Sequence, residues 1–107
     1  MSLLAEISER VDDCIVAAWV DTRTGAVLEQ HAARADLFVS SALDAATEVM
    51  RSRERPPRMV LLSARHVHVV QRTARDPHRV LVVVCARSTN LGIAVSVVRA
   101  MVEQEGA

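Results

Sequence analysis

The sequence predicts an α/β fold of the α+β kind, a three-layer α/β/α sandwich built on one five-stranded, mainly antiparallel sheet. Three observations lead to this prediction. The run Val80–Ala86 is apolar without a break, which is too continuous for a strand with one face in water. All connections between successive predicted strands except one are short enough for hairpins or tight turns. The last helical segment is apolar over roughly 220° of its circumference, so it needs cover on more than one side.

The first elements are predicted to be a helix and a hairpin. Ser2 can cap a helix at about Leu3–Asp12, whose apolar side chains fall on one stripe. Two strands, Cys14–Val20 and Ala26–Ala32, are joined by the turn Asp21–Gly25. The first strand is apolar throughout and is therefore expected at the centre of the sheet. The second carries charged and polar residues and is expected at an edge.

A second helix, about Leu37–Arg53, follows the potential cap Asp36 and ends before two prolines. One arc of this helix is polar and consists of Ser40, Ser41, Asp44, Thr47, Glu48 and Arg51. The opposite face is apolar and consists of Phe38, Val39, Ala42, Leu43, Ala45, Ala46, Val49 and Met50. This face covers roughly 160°, more than one side of a single sheet demands, and its alanines permit close contact with another helix.

The second half of the chain is predicted to form three strands and a helix. Met59–Ala64 and His66–Thr73 make a second hairpin, and Arg79–Ala86 is the fifth strand. The last helix, about Asn90–Gln104, starts after polar residues whose side-chain oxygens can cap it. Gly92 lies in its first turn, where the missing side chain would allow close approach of another backbone. The solvent-facing edge of this helix consists of Ser96, Arg99 and Glu103.

Composition predicts a single globular domain over residues 1–107. Half of the residues are hydrophobic and the formal net charge is zero, which argues against a disordered chain. No apolar run approaches the length of a membrane span, and the N-terminus lacks the features of a secretory signal. We therefore expect a cytoplasmic protein without membrane insertion.

The residue types exclude several kinds of chemistry. All 13 basic residues are arginine, so the lysine of a Walker loop and a Schiff-base lysine are both absent. The 3 glycines are too scattered to form a glycine-rich nucleotide loop. Serine, histidine and carboxylate residues form no recognisable catalytic pattern. We expect no enzymatic activity, no catalytic residues and no cofactor.

Some residues support two interpretations. His66 and His68 would share one face of a strand and could chelate a metal. No third ligand is identifiable, so a structural or solvated pair is favoured and no metal site is predicted. For Cys14 and Cys85, free buried thiols are favoured over a disulfide. The arginines of RSRERPPR could contact phosphate, but the interleaved Glu54 and the scarcity of aromatic residues favour a solvated loop without nucleic acid.

Two short motifs, in this order of elements, resemble the roadblock family, the dynein light-chain type with bacterial and archaeal members. The first is the turn Asp21–Gly25, and the second is Asn90-Leu91-Gly92 at the start of the last helix. The similarity extends from about Leu3 to Glu105. It implies a sheet ordered 2-1-5-4-3, with the first and last helices on one face and the second helix on the other.

The resemblance also implies a dimer, of the chain with itself or with a paralogue, in which second helices pack together and third strands pair edge to edge. The residues favour this independently, because Met59–Ala64 would be an edge strand without any charge. Such an edge is normally hidden by pairing with another chain. The predicted dimer interface consists of Phe38, Ala42, Ala45, Val49, Met59, Val60, Leu61, Leu62 and Ser63.

The function that the resemblance implies is binding to a small Ras-like GTPase. Bacterial family members resemble scaffolds and regulators of such GTPases, and some activate GTP hydrolysis. The leading hypothesis is a non-catalytic dimer that binds a GTPase and regulates or positions it. The alternative is a purely structural adaptor in a larger assembly, and a small-ligand sensor is a third possibility. The polar residues expected to be available to a partner protein are Ser41, Asp44 and Glu48.

Overall fold

The computed structural model describes residues 2–34, 39–50, 58–73 and 75–106 of the chain. These residues form helices and strands in the predicted order. The elements are α1 (Leu3–Arg10), β1 (Cys14–Asp21), β2 (Val27–Ala32), α2 (Val39–Met50), β3 (Arg58–Leu62), β4 (His66–Arg72), β5 (Arg79–Ala86) and α3 (Leu91–Gly106). The bounds of β5 are those predicted, and the parts of the predicted second helix beyond α2 lie outside the described residues.

The five strands form one antiparallel sheet in the order β2-β1-β5-β4-β3, which confirms the order implied by the roadblock resemblance. β1 and β5 are neighbours at the centre, and their side chains are buried on both faces except at the strand ends. This burial accounts for the unbroken apolar run of β5, since no side chain of a strand covered on both faces reaches water. β2 and β3 are the two edges.

Helices cover both faces of the sheet, so the three-layer architecture is confirmed. We call the face beneath α1 and α3 the α1/α3 face. Its buried side chains are Leu4, Ile7, Val11, Cys14, Ala17, Trp19, Val67, Val69, Leu81, Val83, Cys85, Ala94, Val98, Met101 and Val102. We call the opposite face the α2 face. Its buried side chains are Val16, Ala18, Val20, Leu43, Ala46, Met50, Val70, Val80, Val82 and Val84.

A β-bulge at the start of β1 shifts the alternation of its side chains between the two faces. Cys14 pairs with Cys85, and the next paired residue of β1 is Val16, so Ile15 is an extra residue in the strand. Cys14 therefore lies on the α1/α3 face together with Ala17, although simple alternation would place the two on opposite faces. The bulge brings both cysteines of the chain to one face of neighbouring strands.

The predicted caps of the first and last helices and the β1–β2 turn are present, and the predicted cap Asp36 lies outside the described residues. The Ser2 hydroxyl accepts a hydrogen bond from a backbone N–H in the first turn of α1 at 3.2 Å. Asn90 caps α3 in the same way, accepting the N–H of Ile93 at 3.1 Å. In the turn, Gly25 has a φ of 77° and its N–H donates to the carbonyl of Asp21 at 2.8 Å. A residue with a side chain would be strained at that φ.

The predicted position of Thr47 on the polar arc of the second helix is wrong. Thr47 is buried in α2, on the same side as the sheet-facing Leu43. Its hydroxyl donates to the carbonyl of Leu43, one turn earlier, at 2.8 Å. This bond satisfies the hydroxyl inside the helix, so the side chain can be buried without an unpaired polar group.

One expectation for the last helix is also wrong. A Cβ atom at Gly92 would have the Asn90 side-chain oxygen at 3.5 Å as its only close neighbour among the described residues, so no backbone approaches there. The expected cover of α3 on more than one side is present, because α3 packs against both α1 and the sheet, while Leu91 and Ile93 in its first turn are 39% and 48% exposed. No helix in the described parts of the chain is long and apolar enough to span a membrane.

Candidate protein interaction surface

The edge strand β3 exposes apolar side chains. Met59 and Leu61 pack against the α2 face of their own sheet. Val60 and Leu62 alternate with them and point to the opposite side, where they are 37% and 64% exposed. The charged residue of β3 is Arg58 at its first position, and its Nε donates to the Gln71 side chain on β4 at 2.7 Å. From Met59 to Ala64 the segment carries no charge, so this part of the edge lacks the charged side chains that usually prevent pairing with another strand.

The backbone of β3 also presents hydrogen-bonding groups. The N–H of Ser63 donates to the carbonyl of His66 at 3.0 Å, and Leu61 pairs with His68. Backbone groups alternate in direction along a strand, so those of Val60 and Leu62 point away from β4. Within the described residues no strand lies on that side. An antiparallel strand placed there could exchange hydrogen bonds with both residues.

Helix α2 carries the other predicted contacts. Asp44 and Glu48, one helical turn apart, are both exposed. They lie on the helix that covers the α2 face, and Met59 and Leu61 of β3 pack on that same face. The predicted site side chains that lie outside the described residues are those of Phe38, Ser41, Ala42, Ala45 and Val49.

The other edge, β2, also exposes apolar side chains, and sequence reasoning did not single them out. Val27 and Leu28 are 44% and 54% exposed. This strand carries Glu29 and further polar residues in its interior, whereas the charge of β3 is confined to Arg58 at its first position. The pairing of β2 with β1 is also irregular between Trp19 and Val20. Charge and irregular register both discourage a further strand from pairing, so β3 is the edge better suited to contact with another chain.

An open pocket of about 290 Å³ lies on the α1/α3 face. Its lining residues are Leu3, Glu6, Trp19, Glu29, Arg79 and Gln104. Trp19 is only 1% exposed, and the Arg79 guanidinium lies 4.0 Å from the centre of its ring. Such stacking stabilises the cation and shields the indole. The lining contains no nucleophile beside a base, so it does not define a catalytic centre.

The two histidines of β4 lie on the α2 face, because they alternate with Val67 and Val69 of the opposite face. Both are buried, and their ring centres are 6.0 Å apart. Within the described part of the chain, neither ring nitrogen of His68 has a hydrogen-bond partner. Burial, and next the nearby His66, lower the pKa of His68. No group of three or more metal-ligating side chains occurs in the described residues.

The buried His68 leads to a pH-dependent prediction. Because its pKa is lower in the folded chain, the unfolded chain binds more protons as the pH falls through about 6.5. The free energy of unfolding should therefore decrease from pH about 7.5 to about 5.5. His68→Leu keeps a similar volume and removes two unpaired buried nitrogens, so it should add about 1 kcal/mol of stability near neutral pH.

Urea denaturation followed by circular dichroism at the two pH values measures this effect. His68→Leu should flatten the pH dependence, whereas His31→Leu on the exposed strand β2 should leave most of it in place. If the two variants reduce the pH dependence equally, the buried ring of His68 is not its source.

The chain has the fold of a roadblock domain, as comparison with solved structures shows. No protein-family profile matches the sequence, and no curated protein matches it. The structural matches, in contrast, extend over nearly the whole chain.

Three solved structures illustrate the similarity. MglC from Myxococcus xanthus superimposes with a TM-score of 0.73 at 16% identity, over 95% of this chain and 92% of that one. The gliding protein MglB from Thermus thermophilus superimposes with a TM-score of 0.79 at 16% identity, over 97% of this chain and 83% of that one. A roadblock/LC7 domain from Streptomyces avermitilis superimposes with a TM-score of 0.72 at 13% identity, over 95% of this chain and 90% of that one. At such identities the comparison establishes the shared fold.

Proposed function

We propose that this chain is a single-domain, non-catalytic, cytoplasmic protein that forms a dimer and binds a small Ras-like GTPase, which it regulates or positions. The observation that carries the proposal is the exposed edge of β3, which is uncharged from Met59 onward, on a roadblock fold. The edge supports self-association, and the resemblance to the roadblock family supports a GTPase as the partner.

In the proposed dimer, β3 strands of two chains pair and extend the sheet. Val60 and Leu62 supply outward backbone groups, and their exposed side chains become covered at the seam. One solved MglB structure is described as a tetrameric arrangement, so association of subunits occurs in a protein of the same fold. The partner strand in this chain is proposed to be a second copy or a paralogue.

The α2 helices are proposed to meet across the same seam. Ala42, Ala45 and Val49 are spaced by three and four residues, which is the spacing of one helix face. Their small side chains favour close contact between helices. The proposed interface consists of the same residues that were predicted from the sequence, namely Phe38, Ala42, Ala45, Val49, Met59, Val60, Leu61, Leu62 and Ser63.

The surface proposed for the GTPase is the polar side of α2, with Ser41, Asp44 and Glu48. The exposed carboxylates of Asp44 and Glu48 would attract a basic surface and favour its orientation during encounter. A structural adaptor without effect on nucleotide turnover would use the same dimer and the same helix. The two functions differ only in what the bound partner does.

The test measures binding and GTP hydrolysis with each purified small Ras-like GTPase of the same genome. We expect one of them to bind, and Asp44→Arg to weaken that binding about tenfold, or 1.4 kcal/mol. The matched control is Glu9→Arg, the same charge reversal at an exposed site of α1, on the other side of the sheet. It should leave the affinity unchanged.

The outcomes separate the candidates. Binding with an altered rate of GTP hydrolysis supports a regulator, and binding at an unaltered rate supports a scaffold or adaptor. Absence of binding to all of the GTPases, in both nucleotide states, would contradict the proposed partner.

A further inference from the structure

The two cysteines of the chain, 71 positions apart in sequence, face each other in the folded sheet. Cys14 and Cys85 are register partners on the adjacent antiparallel strands β1 and β5. The bulge at Ile15 places both on the α1/α3 face. Both are free thiols and both are buried. Directly opposed residues of antiparallel strands have Cα atoms roughly 4.5–5.5 Å apart, within the range that a disulfide spans.

We propose that Cys14 and Cys85 are a modification site at which a peroxide oxidant forms a disulfide between β1 and β5. No backbone movement of the sheet is required, because the strands already hold the two residues in register. The bond would join the first residue of β1 to the penultimate residue of β5.

The two thiols have different chemical roles. The proximity of the two thiols lowers the pKa of Cys14, and the same contact together with burial raises the pKa of Cys85. Arg34 further favours the thiolate of Cys14. Cys14 is also the more exposed of the two, at 4% against 0% for Cys85, so it is assigned as the nucleophile and Cys85 as the resolving thiol.

The reaction has two balanced steps. The Cys14 thiolate attacks one oxygen of hydrogen peroxide, the O–O bond breaks, and with one proton the products are a sulfenic acid and water. The Cys85 sulfur then attacks the Cys14 sulfur, the S–O bond breaks, and hydroxide leaves with the Cys85 proton as water. The protein loses two hydrogens, two electrons pass to the peroxide, and the peroxide becomes two waters.

The position of Cys14 gives a small oxidant a short route. It follows the exposed residues Asp12 and Asp13, and Asp13 adopts a left-handed backbone with a φ of 62°. Hydrogen bonds cover this end of the sheet. The Thr89 hydroxyl donates to the Asp12 carbonyl at 2.7 Å, and the Ser88 hydroxyl donates to the Asp13 carboxylate at 2.7 Å. Opening of these surface contacts would give a small oxidant access to the thiol pair at this end of the sheet.

The experiment treats the purified full chain with millimolar hydrogen peroxide, blocks remaining thiols and measures intact mass. We expect a product lighter by about 2 Da that reverts with dithiothreitol. Trypsin cuts this lysine-free chain after arginine, so Cys14 and Cys85 fall in separate peptides, and the linked pair identifies the bond. The oxidised chain should unfold at a temperature higher by about 5 °C or more.

Two variants test the roles of the thiols. In Cys85→Ala, the sulfenic acid of Cys14 has no resolving thiol and should be trapped by dimedone. In Cys14→Ala, the remaining Cys85 should react at least about tenfold more slowly. Unreacted thiols in the wild-type chain, an intermolecular disulfide, or sulfinic acid at Cys14 without a linked peptide would each overturn the proposal.

Discussion

Trp19→Ala should lower the free energy of unfolding by about 3–5 kcal/mol, a large part of the total stability of a domain of this size. Trp19 is the largest side chain buried in the sheet and is 1% exposed. It belongs to the buried cluster of the α1/α3 face, and the Arg79 guanidinium stacks on its ring at 4.0 Å. Alanine would leave a cavity between sheet and helices and remove that stacking platform.

Circular dichroism in a urea titration is the suitable measurement, because the chain has 1 tryptophan and no tyrosine, so the variant loses its intrinsic fluorescence signal. Trp19→Phe retains an aromatic ring in the cavity and should cost clearly less than the alanine variant. A loss of stability below about 1 kcal/mol in Trp19→Ala would contradict the burial of this side chain in the core.

Leu62→Lys should raise the dissociation constant of the proposed dimer about a hundredfold, equivalent to roughly 2.8 kcal/mol. In the isolated chain Leu62 is 64% exposed, so a lysine there should change monomer stability by no more than about 0.5 kcal/mol. In a dimer paired through β3, the same lysine would carry its charge into an apolar seam and lose hydration. Analytical ultracentrifugation over a range of concentrations measures the change.

The matched control is Leu28→Lys, the same substitution on the other edge strand at 54% exposure. It should leave the dimer intact, since β2 is proposed to remain outside the seam. An equal effect of both variants, or of neither, would show that β3 is not the dimer edge. Leu61 is unsuitable for this test, because it packs against the α2 face of its own chain.

The order of elements could be predicted because each has a strong local signal. The strand β5 was found with its bounds, since an unbroken apolar run between a turn and a cap has few alternative structures. The end of α1 was not predicted correctly. Val11 continues the apolar stripe of the helix, yet its backbone is extended, with φ −99° and ψ 113°. The left-handed Asp13 completes a turn that periodicity does not indicate.

Features that depend on pairing between distant strands, or on a hydrogen bond inside a helix, could not be predicted from the sequence. The opposition of Cys14 and Cys85 requires both the sheet order and the bulge at Ile15, and neither has a local signal. The burial of Thr47 depends on a hydrogen bond within the helix that a polar–apolar classification ignores.

The edge position of β3 was implied by the resemblance to the roadblock family, and the structure places β3 at an edge. The absence of charge from Met59 to Ala64 then led to the prediction that this edge pairs with another chain. Which residues of the strand face outward depends on register, and this separates the exposed Val60 and Leu62 from the packed Met59 and Leu61.

The position of β5 has a consequence for biosynthesis. The hairpins β1–β2 and β3–β4 do not touch each other in the sheet, and β5 is the strand that unites them. The ribosome must therefore synthesise the chain as far as Ala86 before either hairpin can pair with β5. Until then the nascent chain contains two separate hairpins with exposed apolar surfaces. At this stage binding by a chaperone competes with aggregation.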